Sequence, residues 1–385
     1  MKKSLMALAF GTFGLGVAEF VMMAILPYVA ADMGVSIPSA GNLISAYALG
    51  VCIGAPVLTL ARKRPLKHLL LVLVALMAAG NLLAALSPSY WTLMLARLLS
   101  GLPHGAYFGV ASIVASRLAP EGKGALAVSA MVSGMTVANL AGVPVGTFMA
   151  HLFTWRIAFL FVGVWGCFVF WSIWRFVPHV RGLEPSTFKA QFRFLRSSAP
   201  WLIIVATMLG NGGVFCWYSY VNPMLTQVSG FSEGSVSILM VVAGGGMVLG
   251  NVLGGLLSDR YGAGRVDKYI QAYLCVLLLG LFFFAHIPWL AACLLCLCTM
   301  GLFGVSSPQQ FLILRHSKGG ELLGGACIQV AFNLGNAMGA YCGGLPIRAG
   351  LSYNYPALAG ACFVFLGVCT LVYFCRRFEP RRVAN

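Results

Sequence analysis

Charged residues are scarce in this chain of 385 residues. Only 9% of the residues are charged, 60% are hydrophobic, and Asp and Glu together number 9. This composition leaves too little polar surface to cover a water-soluble protein of that length. It therefore excludes a soluble enzyme or binding domain and predicts an integral membrane protein.

Groups that could carry out chemistry are also few. The 12 cysteines lie in or beside apolar runs, and their one cluster, Cys293, Cys296 and Cys298, has no histidine or carboxylate next to it. Cysteines in such a setting are typically small apolar core residues rather than metal ligands. The glycine-rich run at 244–250 lies inside an apolar run, unlike a nucleotide-binding loop. We therefore expect no cofactor, no metal and no enzymatic activity.

Long apolar runs, in contrast, are abundant and predict twelve membrane-spanning helices, because about 20 helical residues cross the hydrocarbon core of a bilayer. All but three of the 25 Lys and Arg residues lie in alternate gaps between these runs. Positive loops face the cytoplasm, so both termini are predicted to be cytoplasmic, in a bacterial-type inner (plasma) membrane. Because these loops also face anionic membrane lipid, they account for the net charge of +16 without a nucleic-acid partner.

The chain divides into two related halves at a basic linker. A constant offset of 196 residues aligns the glycines and prolines of one half with those of the other. Repeats of this kind are typical of secondary transporters, whose substrate site lies between the halves near the midplane. The prediction is an all-α membrane protein with two pseudo-symmetric six-helix bundles, at 1–177 and 200–385. The aligned pairs are Gly14 with Gly210, Pro27 with Pro223, Gly50 with Gly246, Gly54 with Gly250 and Gly105 with Gly301.

The linker, residues 178–199, has a helical pattern in its second half. Its apolar residues Phe188, Phe192 and Leu195 fall on one helical face, and the cations Lys189, Arg193 and Arg196 fall on the other. This pattern predicts an amphipathic helix on the cytoplasmic membrane surface. A disordered basic tether is the alternative.

Glu19 is the one acidic residue that the pattern places well inside a span. Holding a charged carboxylate at that depth costs about 3 kcal/mol or more without a partner. Arg97, at a matching depth in the fourth span, is the predicted partner, and His104 lies seven residues further along the same helical face. Two interpretations stay open: a fixed ion pair that pins two helices, or a proton-coupling group in which Glu19 gains and loses a proton and His104 relays it.

Uncharged polar residues gather in the second half. Amides and indole or phenol rings can bind sugar hydroxyls or a drug-like carbonyl, although such amides also join helices to each other. The predicted substrate-binding residues are Asn211, Trp217, Tyr218, Asn251, Gln309, Gln310, Asn333 and Asn336.

Glycines at four-residue spacing recur in spans 2, 4, 5, 8 and 11. Small residues at this spacing let helix backbones approach closely. Spans 3, 6, 9 and 12 are more uniformly apolar and are predicted to form an outer, lipid-facing set.

Several runs together resemble one family of transporters. The sequences GVAEF at 16–20, LPYVAADMGVS at 26–36 and AGNLISAYALG at 40–50 resemble the opening of the 12-span drug/proton antiporters of the major facilitator superfamily, above all the arabinose and sugar efflux branch. RLLSGLPHG at 97–105 resembles the fourth-span motif of that family. The resemblance implies that its buried arginine, Arg97, takes part in proton transfer.

Two further motifs carry the resemblance along the chain. Residues 134–146 are similar to the fifth-span antiporter motif, which implies that Gly134, Gly142, Pro144 and Gly146 pack closely and limit leak. Residues 255–265 are similar to the cytoplasmic gating motif, which implies that Asp259, Arg260 and Arg265 lock helices. The first half departs from the gating motif, because Lys63 stands where the offset from Asp259 would place an acid. We expect a one-sided cytoplasmic latch.

These observations predict a proton-coupled exporter of a small organic solute, either a sugar or a drug-like compound that would confer resistance, working by alternating access. An uncoupled facilitator of a sugar or another polar solute is the alternative. Besides the solute, protons and membrane lipid are the expected partners. A monomer suffices for this mechanism.

Overall fold

The computed structural model describes residues 2–61, 64–119, 124–180, 192–317 and 321–379, and all regular structure in these ranges is helical. The long helices are α1 (Lys2–Met33), α2 (Ile37–Ala61), α3 (Leu66–Ala85), α4 (Tyr90–Leu118), α5 (Gly124–Val137, Ala138–Gly142 and Val143–Leu152), α6 (Arg156–Phe176), α7 (Ser198–Tyr218), α8 (Glu233–Tyr261), α9 (Ala263–Phe284), α10 (Pro288–Gly304 and Ser306–His316), α11 (Glu321–Arg348) and α12 (Tyr355–Phe378).

In the described part of the chain, 11 of these helices are long and apolar enough to cross a membrane. The exception is α11, whose 28 residues are long enough but which carries several amides. It packs against α2 and α7, which keeps those amides away from lipid. The predicted all-helical membrane fold is confirmed.

The two ends of the described chain lie on the same face of the bundle, which we call the termini face. Ser4 at the start of α1 donates a hydrogen bond to the carbonyl of Phe176 at the end of α6, and Gly264 at the start of α9 lies against Glu379 after α12. We call the opposite side, where α1 meets α2 and α7 leads into α8, the distal face.

Glycines bring the same pairs of helices together in each half. Gly54 of α2 lies against the carbonyl of Leu102 in α4, and Gly250 of α8 lies against the carbonyl of Met300 in α10. Neither glycine has room for a Cβ atom. The repeat seen in the sequence is thus matched by equivalent backbone contacts.

The predicted outer set is also confirmed. In α3, α6, α9 and α12, 39–44% of the most apolar 18-residue window is buried, against 50–83% in the other helices so assessed. Their uniform apolar surface therefore faces outward.

Three predicted continuous helices are interrupted. A π-helical turn, Ala138–Gly142, breaks α5, α7 ends at Tyr218 before a short second segment, and Val305 divides α10. The π turn lies at the junction of the two halves, because Gly244 of α8 packs on it: a Cβ atom at Gly244 would lie 2.5 Å from the carbonyl oxygen of Asn139. Extra residues of this kind are frequent at functional positions in helices.

The linker is described at residues 178–180 and again from residue 192. Arg193–Arg196 form a 3-10 turn, and Phe194 is the buried residue in it. Phe192 is exposed and Leu195 is half-buried, and the predicted apolar face on the membrane surface stays a prediction. Phe188 and Lys189 lie outside the described residues, and an amphipathic helix there stays a prediction.

Candidate functional site

Glu19 lies in the middle of α1 and is 7% exposed. Its two carboxylate oxygens have different partners. Oε2 is 3.7 Å from Nε2 of His104 in α4, and Oε1 accepts a hydrogen bond of 3.2 Å from the side-chain amide of Asn336 in α11. Glu19 therefore contacts helices of both halves.

His104 is held by aromatic residues. Its Nδ1 atom is 2.8 Å from the hydroxyl of Tyr47, and its ring stacks on Phe108 with the centroids 5.3 Å apart. If the Tyr47 hydroxyl donates to Nδ1, the neutral imidazole carries its proton on Nε2 and presents it to Glu19. Tyr47 thereby orients His104, a function that the sequence analysis did not assign to it.

Arg97 does not form the predicted ion pair. Among the side chains that the structure describes, those of Arg97 and Glu19 are not within 4.0 Å of each other. The guanidinium instead donates a hydrogen bond of 2.8 Å to the carbonyl of Ala18 and lies over the rings of Tyr47 and Phe159, at 4.3 and 5.3 Å. The predicted depth is correct, since Ala18 precedes Glu19, but the guanidinium binds the backbone of α1 instead of the carboxylate.

The guanidinium of Arg97 is fully buried and incompletely bonded. Its Nε and Nη2 atoms have no hydrogen-bond partner within the described part of the chain. Buried donors without partners are costly, by about 1–3 kcal/mol or more when charged. Arg97 can therefore donate hydrogen bonds to a carboxylate or to a polar group of a ligand without giving up an existing contact.

The predicted substrate-binding residues have different hydrogen-bond partners in this structure. Asn211 and Asn333 donate to carbonyls of their own helices, and Asn336 binds Glu19. Asn333 and Asn336 each keep a buried amide oxygen without a partner among the described residues. These two amides of α11 are therefore the ones with bonding capacity left beside Glu19.

The two aromatic residues of α7 that are predicted to bind substrate also have different surroundings. Tyr218 packs against Phe20, the residue that follows Glu19 in α1, with the ring centroids 6.3 Å apart. Trp217 is fully buried and its indole N–H points to the sulfur of Met224 at 2.9 Å. Trp217 is thus packed in the core in this conformation, and its contact with substrate stays a prediction.

The remaining amides lie on the termini side of α8 and α10. Asn251 accepts a hydrogen bond of 3.2 Å from Ser307, and Gln310 is half-buried near Gly325. Gln309 is fully buried and donates to Asp267, at 3.1 Å. Gln309 is engaged with a carboxylate that the sequence analysis did not single out.

Asp267 was missed because it lies only four residues into α9. Its side chain is 1% exposed, and its Oδ1 atom accepts hydrogen bonds from both Gln309 and Gln271. Its Oδ2 atom, and the amide oxygens of both glutamines, have no partner among the described residues. The sequence signal that could have found it is its position directly before the apolar run of the ninth span.

A second unpredicted cluster closes the distal face. The hydroxyl of Tyr28 in α1 donates to Oε2 of Glu233 in α8, at 3.0 Å, and lies 3.2 Å from Nδ1 of His151 in α5. Asn222 after α7 also donates to the carbonyl of Ala24 in α1. These contacts join the first six helices to the last six.

The motif residues occupy distinct places. Gly134, Gly142 and Gly146 of α5 lie against Ala9, Val17 and Val21 of α1 respectively, and Pro144 begins the helix after the π turn. Arg260 is exposed and Arg265 is half-buried, and neither is within ion-pair distance of a described carboxylate. The side chain of Asp259, and Lys63, lie outside the described part, so the predicted lock stays a prediction.

Comparisons with known proteins agree with this architecture. The family model of the Major Facilitator Superfamily matches residues 8–324. The chain is 48% identical over its whole length, and 98% of the other, to the Escherichia coli (strain K12) protein named "Putative transporter AraJ". It is 26% identical to a Helicobacter pylori (strain 26695) protein named "Probable sugar efflux transporter", covering 98% of this chain and 95% of that one.

A solved structure has the same fold. The crystal structure of a bacterial homolog of the human lysosomal transporter Spinster, in an inward-facing and occupied conformation, superimposes with a TM-score of 0.73 at 15% identity, over 97% of each chain. Together with the family match, this establishes that the chain belongs to the Major Facilitator Superfamily, a family of transporters rather than enzymes.

Proposed function

We propose that this protein is a proton-coupled secondary transporter that exports a small organic solute, a sugar or a drug-like compound, across the inner membrane. The membership of the superfamily supports transport. The name "Probable sugar efflux transporter" of one relative supports a sugar-like solute and the outward direction. The name "Inner membrane transport protein YdhP", given to an Escherichia coli relative 37% identical over 98% of this chain, supports the location.

The observation that carries the proposal is the contact of Glu19 with Asn336. Glu19 belongs to the first six helices and Asn336 to the last six, so this hydrogen bond depends on how the halves are arranged. A carboxylate binds an amide donor more strongly when it is ionised than when it is protonated. Rocking of one half against the other therefore alters the proton affinity of Glu19, and protonation of Glu19 alters the rocking equilibrium.

The neighbours of Glu19 allow its side chain a second set of contacts. With a proton on Nε2, His104 faces one carboxylate oxygen, and Arg97 has two unpartnered donors one residue away along α1. When the halves separate and Asn336 withdraws, Glu19 can turn to Arg97 as an ion pair or take a proton from water. His104, 3.7 Å from the carboxylate, supplies a path for that proton.

The distal contacts indicate which side is closed in this conformation. Tyr28, His151 and Glu233 join α1, α5 and α8 on the distal face, whereas the first segment of α5, on the termini side, has few contacts with α8. We infer that the termini face is cytoplasmic, as the positive loops indicate, and that the conformation is inward-facing. The moving bodies would be residues 1–177 and 200–385, joined by the linker at 178–199.

A proton gradient is an adequate energy source for this cycle. One proton moving inward through a membrane potential of 100 mV supplies about 2.3 kcal/mol. That free energy corresponds to roughly a fifty-fold gradient of an uncharged solute, because 1.4 kcal/mol is equivalent to a factor of ten. An uncoupled facilitator would need no titratable group at Glu19.

The test uses purified protein in liposomes containing a pH-sensitive dye. Sugars and lipophilic cations are added in turn at two pH values, and the proposal predicts that one of them moves protons in the direction opposite to its own. Solute movement without proton movement would support the facilitator instead. A solute that moves only after an imposed pH gradient identifies the coupled substrate.

A further inference from the structure

A lateral groove opens on the outer surface between α8, α9 and α10, away from the Glu19 site. Its volume is about 540 Å³, within the range of ligand-binding cavities. Glycines of α8 and α10 form its floor, and Leu253, Leu257, Tyr269 and Tyr273 are among the residues of its walls. Leu253, Leu257 and Tyr269 are exposed, at 44%, 39% and 66%, so the groove is open to the lipid around the protein.

One end of the groove is cationic. Arg265 lines it directly, on the termini side, together with Tyr261 and Tyr269. The guanidinium of Arg260 lies over the Tyr261 ring at 5.3 Å, and the ammonium of Lys268 lies over the Tyr269 ring at 4.4 Å. Arg265 is therefore a cation in the lining of an otherwise apolar groove, and two further cations lie against the tyrosines that line it.

The described acidic groups nearby form no close ion pair with these cations. Asp267 binds two glutamines and Glu379 lies against Gly264 at the start of α9, but no described carboxylate is within 4.0 Å of Arg260, Arg265 or Lys268. Cationic pockets between spanning helices on the cytoplasmic side are suited to phospholipid head groups. Tyrosines that border the pocket are suited to the same interfacial depth.

We propose that this groove is a binding site for one anionic phospholipid, with an acyl chain along the floor between α8, α9 and α10 and the phosphate at Arg265. The orientation of the lipid rests on the inferred cytoplasmic position of the termini face. The site itself does not depend on proton coupling at Glu19.

The test is a native mass spectrometry titration of the full-length protein in detergent with dioleoyl phosphatidylglycerol or dioleoyl phosphatidylethanolamine. We expect the first phosphatidylglycerol to bind several-fold more tightly than phosphatidylethanolamine. One cation contributes about 1 kcal/mol near a charged lipid surface, so Arg265→Gln should weaken that binding about five-fold. Arg376→Gln, which removes an exposed cation from α12 on the same face, is the matched control and should leave binding unchanged.

A second variant tests the apolar part of the site. Leu257→Trp fills the groove from an exposed position, and its folding is checked by an unchanged melting temperature in lipid-free detergent. We expect it to weaken the first binding step for both lipids. Equal affinity for the two lipids, an equal loss in Arg265→Gln and Arg376→Gln, or normal binding in a folded Leu257→Trp protein would each overturn the proposal.

Discussion

The side-chain amide of Asn336 donates a 3.2 Å hydrogen bond to Glu19, although 317 residues separate them along the chain. This bond joins an ionisable group inside α1 to the helix that packs across the interface between the halves. Proton binding and domain movement thus meet at one pair of side chains.

Removal of the Asn336 amide should favour opening of the interface. A hydrogen bond to a charged group contributes about 1.5–3 kcal/mol, so Asn336→Ala should shift the equilibrium between the two arrangements by roughly ten-fold or more. Hydrogen–deuterium exchange of the segments joining α1 to α2 and α7 to α8 measures the shift. Asn333→Ala, which removes an amide bonded within its own helix, is the control, and equal exchange in the two variants would argue against the role of Asn336.

The contact between Gly244 and the π turn of α5 should be sensitive to a single methyl group. A Cβ atom at Gly244 would lie 2.5 Å from the carbonyl oxygen of Asn139, whereas one at Gly245 meets nothing within 4 Å. We expect Gly244→Ala to lower the transport rate and to loosen the distal face, and Gly245→Ala to behave like the wild type. Comparable transport and exchange in both variants would show that this close approach is unimportant.

The Tyr28 hydroxyl should stabilise closure of the distal face. Tyr28→Phe removes the hydrogen bonds to Glu233 and His151 but keeps the ring, so closure should weaken by about 1–3 kcal/mol. The opening is measured by the reaction of a membrane-impermeant maleimide with a single cysteine in a protein without other cysteines. That cysteine is introduced on the termini side of the Tyr28 cluster. Tyr373→Phe, which alters a hydroxyl on the termini side of α12, should leave labelling unchanged.

The Asp267 cluster should tolerate a neutral side chain better than an ionised one. Both amide donors serve one carboxylate oxygen, and the other oxygen is buried without a donor. Asp267→Asn keeps the shape, removes the buried charge and adds a donor to a cluster in which two glutamine oxygens are unpartnered, so its melting temperature should equal or exceed that of the wild type.

The hydrogen bonds of Asp267 also predict how the stability of the protein depends on pH. When Asp267 ionises, it loses the O–H group that could donate a hydrogen bond to an unpartnered oxygen. The wild type should therefore lose stability as the pH rises, and Asp267→Asn should not. The advantage of the variant should therefore grow with pH. A melting temperature that falls in parallel for both proteins would show that another group is responsible.

Much of the fold was predictable because each span is long, apolar and bounded by charge. The glycine pairs were predictable for a similar reason, since a missing Cβ atom is required wherever two backbones meet, as at Gly54 and Gly250. The breaks were not, because Pro144 and Pro308, which follow Ala138–Gly142 and Val305, do not differ in type from prolines that lie inside unbroken helices of the chain, such as Pro27 and Pro103. Their cause is contact with other helices, which a single sequence does not record.

The sequence was enough to predict which residues lie in the site, but not which of them contact each other. Depth along the helices placed Glu19, Arg97 and His104 together correctly. His104 rather than Arg97 faces the carboxylate, because the guanidinium of Arg97 lies over the rings of Tyr47 and Phe159. Asn336 was assigned to the substrate because no pattern within the sequence links α11 to α1.

The most direct test of the account is proton-driven transport by Glu19→Gln in proteoliposomes, once a substrate is identified. The variant keeps a hydrogen-bonding side chain of the same size but cannot bind and release a proton. We predict that flux driven by an imposed pH gradient is lost while exchange of solute down its own gradient is retained, and that Glu379→Gln, an acid outside the interface, behaves like the wild type. Unchanged pH-driven flux in Glu19→Gln would contradict the proposal that this carboxylate couples protons to transport.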